Sequence, residues 1–186
     1  AADTPVLTIS GDHAGGSTSF TGFSFTGANG SGVAAGVYVT ATGIGTLSFD
    51  DGSFSGNGAY GIFVLNAGIG KLEVTNSTFA DNGTNGINSG GHIKLFGFTG
   101  DALLQNLQLD GAADGTPQAD RPDYGIEFHG VSNADLDNGA PLVPMGNVVI
   151  DGVTISGEFH KSPFAINNYS NVGGLEIDGL DLSDAE

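Results

Sequence analysis

Apolar and polar residues alternate in short bursts along nearly the whole chain. Leu47-x-Phe49 is followed by Phe54, then by Ile62-x-Val64, with Gly, Asn, Asp and Ser between. A period of two predicts strands, and the intervening residues predict turns. The stretch from Ile44 to Ser89 carries this pattern twice at an offset of 25 residues. Leu47 falls on Leu72, Phe49 on Val74, Phe54 on Phe79, Asn57 on Asn82, and Gly61-Ile62 on Gly86-Ile87. A fixed period with three short strands per repeat predicts coils of a parallel β-solenoid, each covered by its neighbour.

The pattern extends outward from this pair. First strands are expected at Val6–Ile9, Gly36–Val39, Gly61–Val64, Gly86–Ser89, Gly125–Phe128 and Ala165–Asn168. Second strands are expected at Phe20, Leu47–Phe49, Leu72–Val74, Leu103–Leu104, Val148–Ile150 and Leu175–Ile177. Third strands follow at Phe23–Phe25, Ser53–Phe54, Thr78–Phe79, Leu107–Leu109, Val153–Ile155 and Leu180–Leu182. A polar pair joins each second strand to its third: Thr21-Gly22, Asp50-Asp51, Thr75-Asn76, Gln105-Asn106, Asp151-Gly152 and Asp178-Gly179. A corner of constant length repeats in register, so Asn76 and Asn106 are placed to stack as an amide ladder. Phe25, Phe54, Phe79, Leu109, Ile155 and Leu182 are expected to form one interior column. Val37, Ile62, Ile87, Ile126 and Ile166 form another.

The three-strand coil with its two-residue corner resembles the right-handed parallel β-helix of pectate-lyase-like proteins over nearly the whole chain. The expected fold is therefore all-β, a single β-helix domain over 1–186 of about six coils. Loop insertions at 111–124 and 132–146 interrupt it. The copies FSGN (54–57) and FADN (79–82), with GGHI (90–93), also resemble repeats of autotransporter-type surface adhesins. The fold hosts lyases, epimerases, tailspikes and adhesins, so it does not select a function.

Composition narrows the setting. There are 33 Gly and no Cys, so neither disulfide nor thiol chemistry operates. Lys and Arg total 4 against 21 Asp plus Glu, a net charge of −17, which repels nucleic acid and anionic membranes. No apolar run is long enough to span a bilayer as a helix. Ala1-Ala2-Asp3 has the small residues found after a signal cleavage site, which with the charge suggests a secreted protein, at a bacterial cell surface.

Three candidate sites follow. The outward row of the first strands reads Tyr38, Phe63, Asn88, Glu127 and Asn167, aromatic and polar groups suited to binding a polysaccharide. In the pectate-lyase family this face is the substrate cleft, but the family's chemistry does not carry over. Glu127 is the one carboxylate in the row, and the only Arg, Arg121, lies in a loop. If the face is catalytic, Glu127 and His129 are the proton-transfer pair of a lyase or epimerase; the plainer reading of His129 is a surface histidine. Asp110, Asp114, Asp120 and Asp123 crowd the first insertion, with Asp135 and Asp137 in the second. They read first as solvated acidic loops, and otherwise as hard-oxygen ligands for calcium, the one cofactor suggested.

The third site is the pair of ends. No segment before Val6 or after Leu182 reads as a capping helix. Uncapped coils template further pairing, so the chain is expected to be a piece of a longer β-helix or to stack on copies of itself. Val6, Phe20, Phe25, Ile177, Leu180 and Leu182 would carry that contact. The leading expectation is a structural or adhesive solenoid. A carbohydrate-active or carbohydrate-binding module is the alternative.

Overall fold

The computed structural model describes residues 4–30, 33–65, 67–84, 90–130, 143–167 and 169–186. Three parallel sheets wind into a right-handed β-helix, one strand of each sheet per coil except in the last, which adds none to the third sheet. The first sheet stacks β1 (Leu7–Ile9), β4 (Ala35–Val39), β7 (Tyr60–Leu65), β10 (Gly91–Phe96), β13 (Tyr124–His129) and β16 (Ser162–Asn167). The second stacks β2 (Ser17–Thr21), β5 (Ile44–Asp50), β8 (Ile69–Thr75), β11 (Asp101–Gln105), β14 (Val143–Asp151) and β17 (Tyr169–Asp178). The third stacks β3 (Ser24–Thr26), β6 (Ser53–Ser55), β9 (Thr78–Ala80), β12 (Gln108–Asp110) and β15 (Thr154–Ser156).

The corner between the second and third sheets is the most regular feature, for a backbone reason. Its second residue is left-handed at every coil: Gly22, Asp51, Asn76, Asn106, Gly152 and Gly179 have φ between 50° and 65°. Gly, Asn and Asp are the residues that tolerate this region. The amide ladder forms: Asn106 Nδ2 donates to Asn76 Oδ1 at 3.0 Å, and Asn76 Nδ2 to Asp50 Oδ1 at 2.8 Å.

Because this corner is fixed, the second and third strands fall in the expected register. Leu47 pairs with Leu72, and Phe25, Phe54, Phe79, Leu109 and Ile155 line up as one column. Phe54 and Phe79 are fully buried and stacked, with ring centroids 4.6 Å apart. Leu182 does not complete the column as a strand residue. The segment Leu180–Leu182 touches the third sheet through a single bridge, Asp181 to Thr154, and Leu182 stays 37% exposed.

The first strands differ from expectation. In the fourth coil the strand is Gly91–Phe96, so Ile62 pairs with Ile93 and Val64 with Leu95. The expected strand Gly86–Ser89, with Ile87 and Asn88, lies outside the described residues. The repeated Gly-Ile dipeptide suggested an offset of 25 residues, but the six-residue run GHIKLF supplies two inward side chains, Ile93 and Leu95, both buried. In the last coil Phe164, not Ile166, continues the row of Ile62, Ile93 and Ile126; Ile166 pairs with Phe128. The end of the second insertion is also strand: β14 begins at Val143.

A second ladder, internal, closes the corner between the third and first sheets. Asn57 and Asn82, the last residues of FSGN and FADN, are fully buried. Asn57 Nδ2 donates to Asn82 Oδ1 at 2.8 Å, and Asn57 Oδ1 accepts from the Ala28 amide at 3.1 Å. Asn82 Nδ2 donates to the Phe54 carbonyl at 2.9 Å and meets Nδ1 of the buried His92 at 3.2 Å. Asn82 presents a donor there, so Nδ1 accepts and the neutral ring carries its proton on Nε2. Burial drives the His92 pKa down to about 4, against the opposing pull of the Asp110 backbone and carboxylate.

Candidate functional site

The outward face of the first sheet is built around Lys94, which the slipped register hid from sequence reasoning. Pairing of the strands sets Tyr38, Phe63, Lys94, Glu127 and Ala165 in one row. Asn167 belongs to the next row, beside His129. Glu127 pairs with Lys94, Nζ to Oε2 at 3.0 Å, with its side chain only 5% exposed. The Lys94 ammonium also lies 5.7 Å from the Tyr60 ring centre and 5.9 Å from that of Phe96. Phe63 packs between Tyr60 and Tyr38, at 4.7 and 5.5 Å between centroids.

This arrangement is a small second core rather than an open aromatic stripe. Phe63 is 8% exposed and clusters with Ala28, Ala34, Ala35, Ala59 and Tyr60. His129 stands against Phe96, 4.9 Å between ring centroids. Burial lowers its pKa, Lys94 lowers it further, and Glu127 opposes. Glu127 and His129 therefore share a strand and a face, but the carboxylate is buried in an ion pair.

The aspartates of the first insertion do not converge. Asp110 accepts from Gln108 Nε2 at 2.8 Å and Ser156 Oγ at 2.9 Å on the third sheet. Asp114 lines a cavity of about 240 Å³ with Glu158, Asp184 and Glu186, while Asp120 lines another of about 190 Å³ with Asp81 and Thr84. Asp123 is fully buried and binds His160 Nδ1 and Lys161 Nζ, each at 2.8 Å. Among the described residues no three His, Asp or Glu side chains come together to hold a metal ion. Asp135 and Asp137 lie outside the described residues.

Asp123 instead braces the loop. Its carbonyl accepts from the amides of Lys161 and Ser162, and its amide donates to Gly90. Burial works against the Lys161 ammonium, but the hydrogen bond and charge of Asp123 outweigh it and raise the pKa. Arg121 adds an ion pair to Glu158 at 3.0 Å. The loop is thereby tied to the connection between β15 and β16.

The two ends carry exposed apolar side chains. Among the described residues the exposed large hydrophobics are Val6, Leu175, Ile177 and Leu182, at 47%, 47%, 44% and 37%. All four belong to the terminal coils. Leu175 and Ile177 occupy inward positions, in register with Val148 and Ile150, which are 1% and 0% exposed. A cavity of about 280 Å³ opens between these two rungs, lined by Val148, Val149, Gly174 and Leu175. Phe20, Phe25 and Leu180 are half-buried at the margin of the core. The four Lys and Arg residues, at positions 71, 94, 121 and 161, all precede β17, and Glu176, Asp178, Asp181, Asp184 and Glu186 leave the last segment purely acidic.

Compared with protein-family models, with curated proteins and with solved structures, the chain matches none.

Proposed function

We propose that this chain is a structural β-solenoid that associates end to end with copies of itself, building a fibre, sheath or adhesin stalk outside the cell at a bacterial surface. One observation carries the reading. Leu175 and Ile177 are core residues by position and surface residues by exposure, at 47% and 44%. Apolar side chains in an inward row gain by burial, roughly 1.5–3 kcal/mol each when fully covered. Edge strands also leave a row of backbone donors and acceptors without partners. A second coil satisfies both demands at once. A contact between different ends does not close on itself, so it propagates as a filament.

The long-range charge opposes association: two bodies of −17 repel where screening is weak. The Debye length falls from about 30 Å at 0.01 M salt to about 8 Å at 0.15 M. Sedimentation velocity across that range tests the reading. Assemblies should grow with salt, and Leu175→Asp with Ile177→Asp should abolish growth while leaving the circular dichroism spectrum intact. Monomers at every salt concentration would refute it.

The carbohydrate reading has less behind it. Its aromatic row is reduced to a half-buried Tyr38 beside a buried Phe63, and Glu127 is occupied by Lys94. Turnover of an acidic polysaccharide, lost in Glu127→Gln, would reinstate it.

A further inference from the structure

The strand register determines what each residue of the last coil would meet on a second copy. Along the second sheet, Leu175 ends the inward row that Thr18 begins, and Ile177 ends the row that Phe20 begins. On the outward side Glu176 shares a row with Ser19, and Asp178 with Thr21. Resting on the end-to-end reading above, we propose that copies join head to tail in the register of the internal rungs. Leu175 and Ile177 then sit on Thr18 and Phe20 of the next copy, and Asp178 sits beside its Thr21.

Three observations select this junction. The first is the corner. Gly179 and Gly22 have nearly the same left-handed φ, 65° and 62°, so the corner of one copy continues that of the next without rearrangement. A slip of one residue would turn Glu176 and Asp178 inward and set one of them against Phe20, since strand side chains alternate faces. A slip of two would leave the corners unmatched.

The second is local charge. In the outward rows next to the corner the first coil offers only hydroxyls, Ser17, Ser19 and Thr21, all exposed. Glu176 and Asp178 therefore meet donors, whereas a junction of two last coils would bring them against their own copies. Like charges directly opposed on neighbouring strands are destabilising. The polarity is therefore head to tail.

The third is a precedent inside the molecule. In the same corner row Thr75 Oγ1 donates to Asp50 Oδ1 on the adjacent rung at 2.7 Å. Thr21 beside Asp178 reproduces that pair across the junction. The first sheet agrees: the row that ends at Phe164 starts at Leu7, and the row that ends at Ile166 starts at Ile9.

The absence of cysteine makes the register directly testable. Neighbouring rungs lie about 4.8 Å apart, inside the Cα separation of roughly 4.4–6.8 Å that a disulfide spans. The double variant Ser19→Cys/Glu176→Cys places its thiols in one row. Within one molecule they are five rungs apart, about 24 Å, and cannot pair. Ser17→Cys/Glu176→Cys is the out-of-register control, with thiol-bearing positions about 8 Å apart across the same junction. Both are oxidised mildly at the salt concentration where sedimentation finds assemblies, then separated without reductant.

The in-register variant should give a ladder of covalent multimers, and the control and the single variants nothing beyond dimers. Assemblies by sedimentation with no ladder, or with equal ladders from both double variants, would overturn the register while leaving end-to-end association standing. No assembly of the unmodified chain would overturn both.

Discussion

His92 closes the internal asparagine ladder, and its neutral form is the one the ladder requires. Protonation puts a hydrogen on Nδ1, where Asn82 Nδ2 already points a donor from 3.2 Å. The ring also packs near Phe79 and Phe159, at 6.2 and 6.0 Å between centroids, and is fully buried, so the charge has no water to reach. Among the described residues Asp110 is the charged group acting on it, and its effect is smaller than that of burial. The native pKa of about 4 lies below the unfolded value of 6.5. The unfolded chain therefore takes up the proton first, and stability falls as pH drops through 6.5 towards 4. The full difference, about 2.5 units at about 1.36 kcal/mol each, is roughly 3 kcal/mol. At pH 5 about 2 kcal/mol of it is already lost. The assay is urea unfolding of the wild type and His92→Gln at pH 7.5 and pH 5. Glutamine does not titrate, and its carbonyl can accept from Asn82. Every other titratable group, the remaining histidines included, is common to both proteins and cancels in the difference. The wild-type advantage over His92→Gln should shrink by about 2 kcal/mol between the two pH values. A difference that stays constant within about 0.5 kcal/mol would refute the reasoning.

Phe79→Ala removes a fully buried ring from the stack with Phe54 and should cost about 3–5 kcal/mol in urea unfolding; a loss near zero would contradict the column. Asn82→Ala leaves the Asn57 amide and the Phe54 carbonyl without their buried partner and should cost about 3 kcal/mol or more, at about 1–3 kcal/mol per stranded group. Glu127→Gln strips Lys94 of its counter-charge in a site where the lysine side chain is 12% exposed. It should destabilise by about 3 kcal/mol, and a neutral result would mean that the outward face is solvated after all. Because the loop aspartates do not converge, calcium and magnesium at equal ionic strength should move the melting temperature equally. A rise specific to calcium and lost in Asp114→Ala would restore a metal site there.

The parts of this fold legible in the sequence are those that a backbone constraint repeats. The corner after each second strand needs one left-handed residue, and Gly, Asn and Asp mark it six times. The register of the second and third strands follows from that. The corner after the third strand has no such constant length, so a recurring Gly-Ile dipeptide stood in for the true strand at Gly91–Phe96. The slip of register removed Lys94 from view and with it the partner of Glu127. The asparagines of FSGN and FADN were visible as a repeated motif. Their role was not, because the acceptors and donors they meet lie a whole coil away in sequence. The aspartates of the first insertion are close in sequence but are drawn to different walls, Asp123 by His160 and Lys161 and Asp110 by Ser156. At the ends Val6, Ile177 and Leu182 are exposed, while Phe20, Phe25 and Leu180 are half-buried, because the neighbouring rung covers only one side of each.

Electron microscopy of the purified chain, from low salt to about 0.15 M, tests the central claim most directly. The account predicts unbranched filaments one β-helix wide that lengthen with salt, whose diffraction carries a reflection near 4.8 Å along the filament axis. Single particles of one coil stack, unchanged in length at every salt concentration, would contradict it.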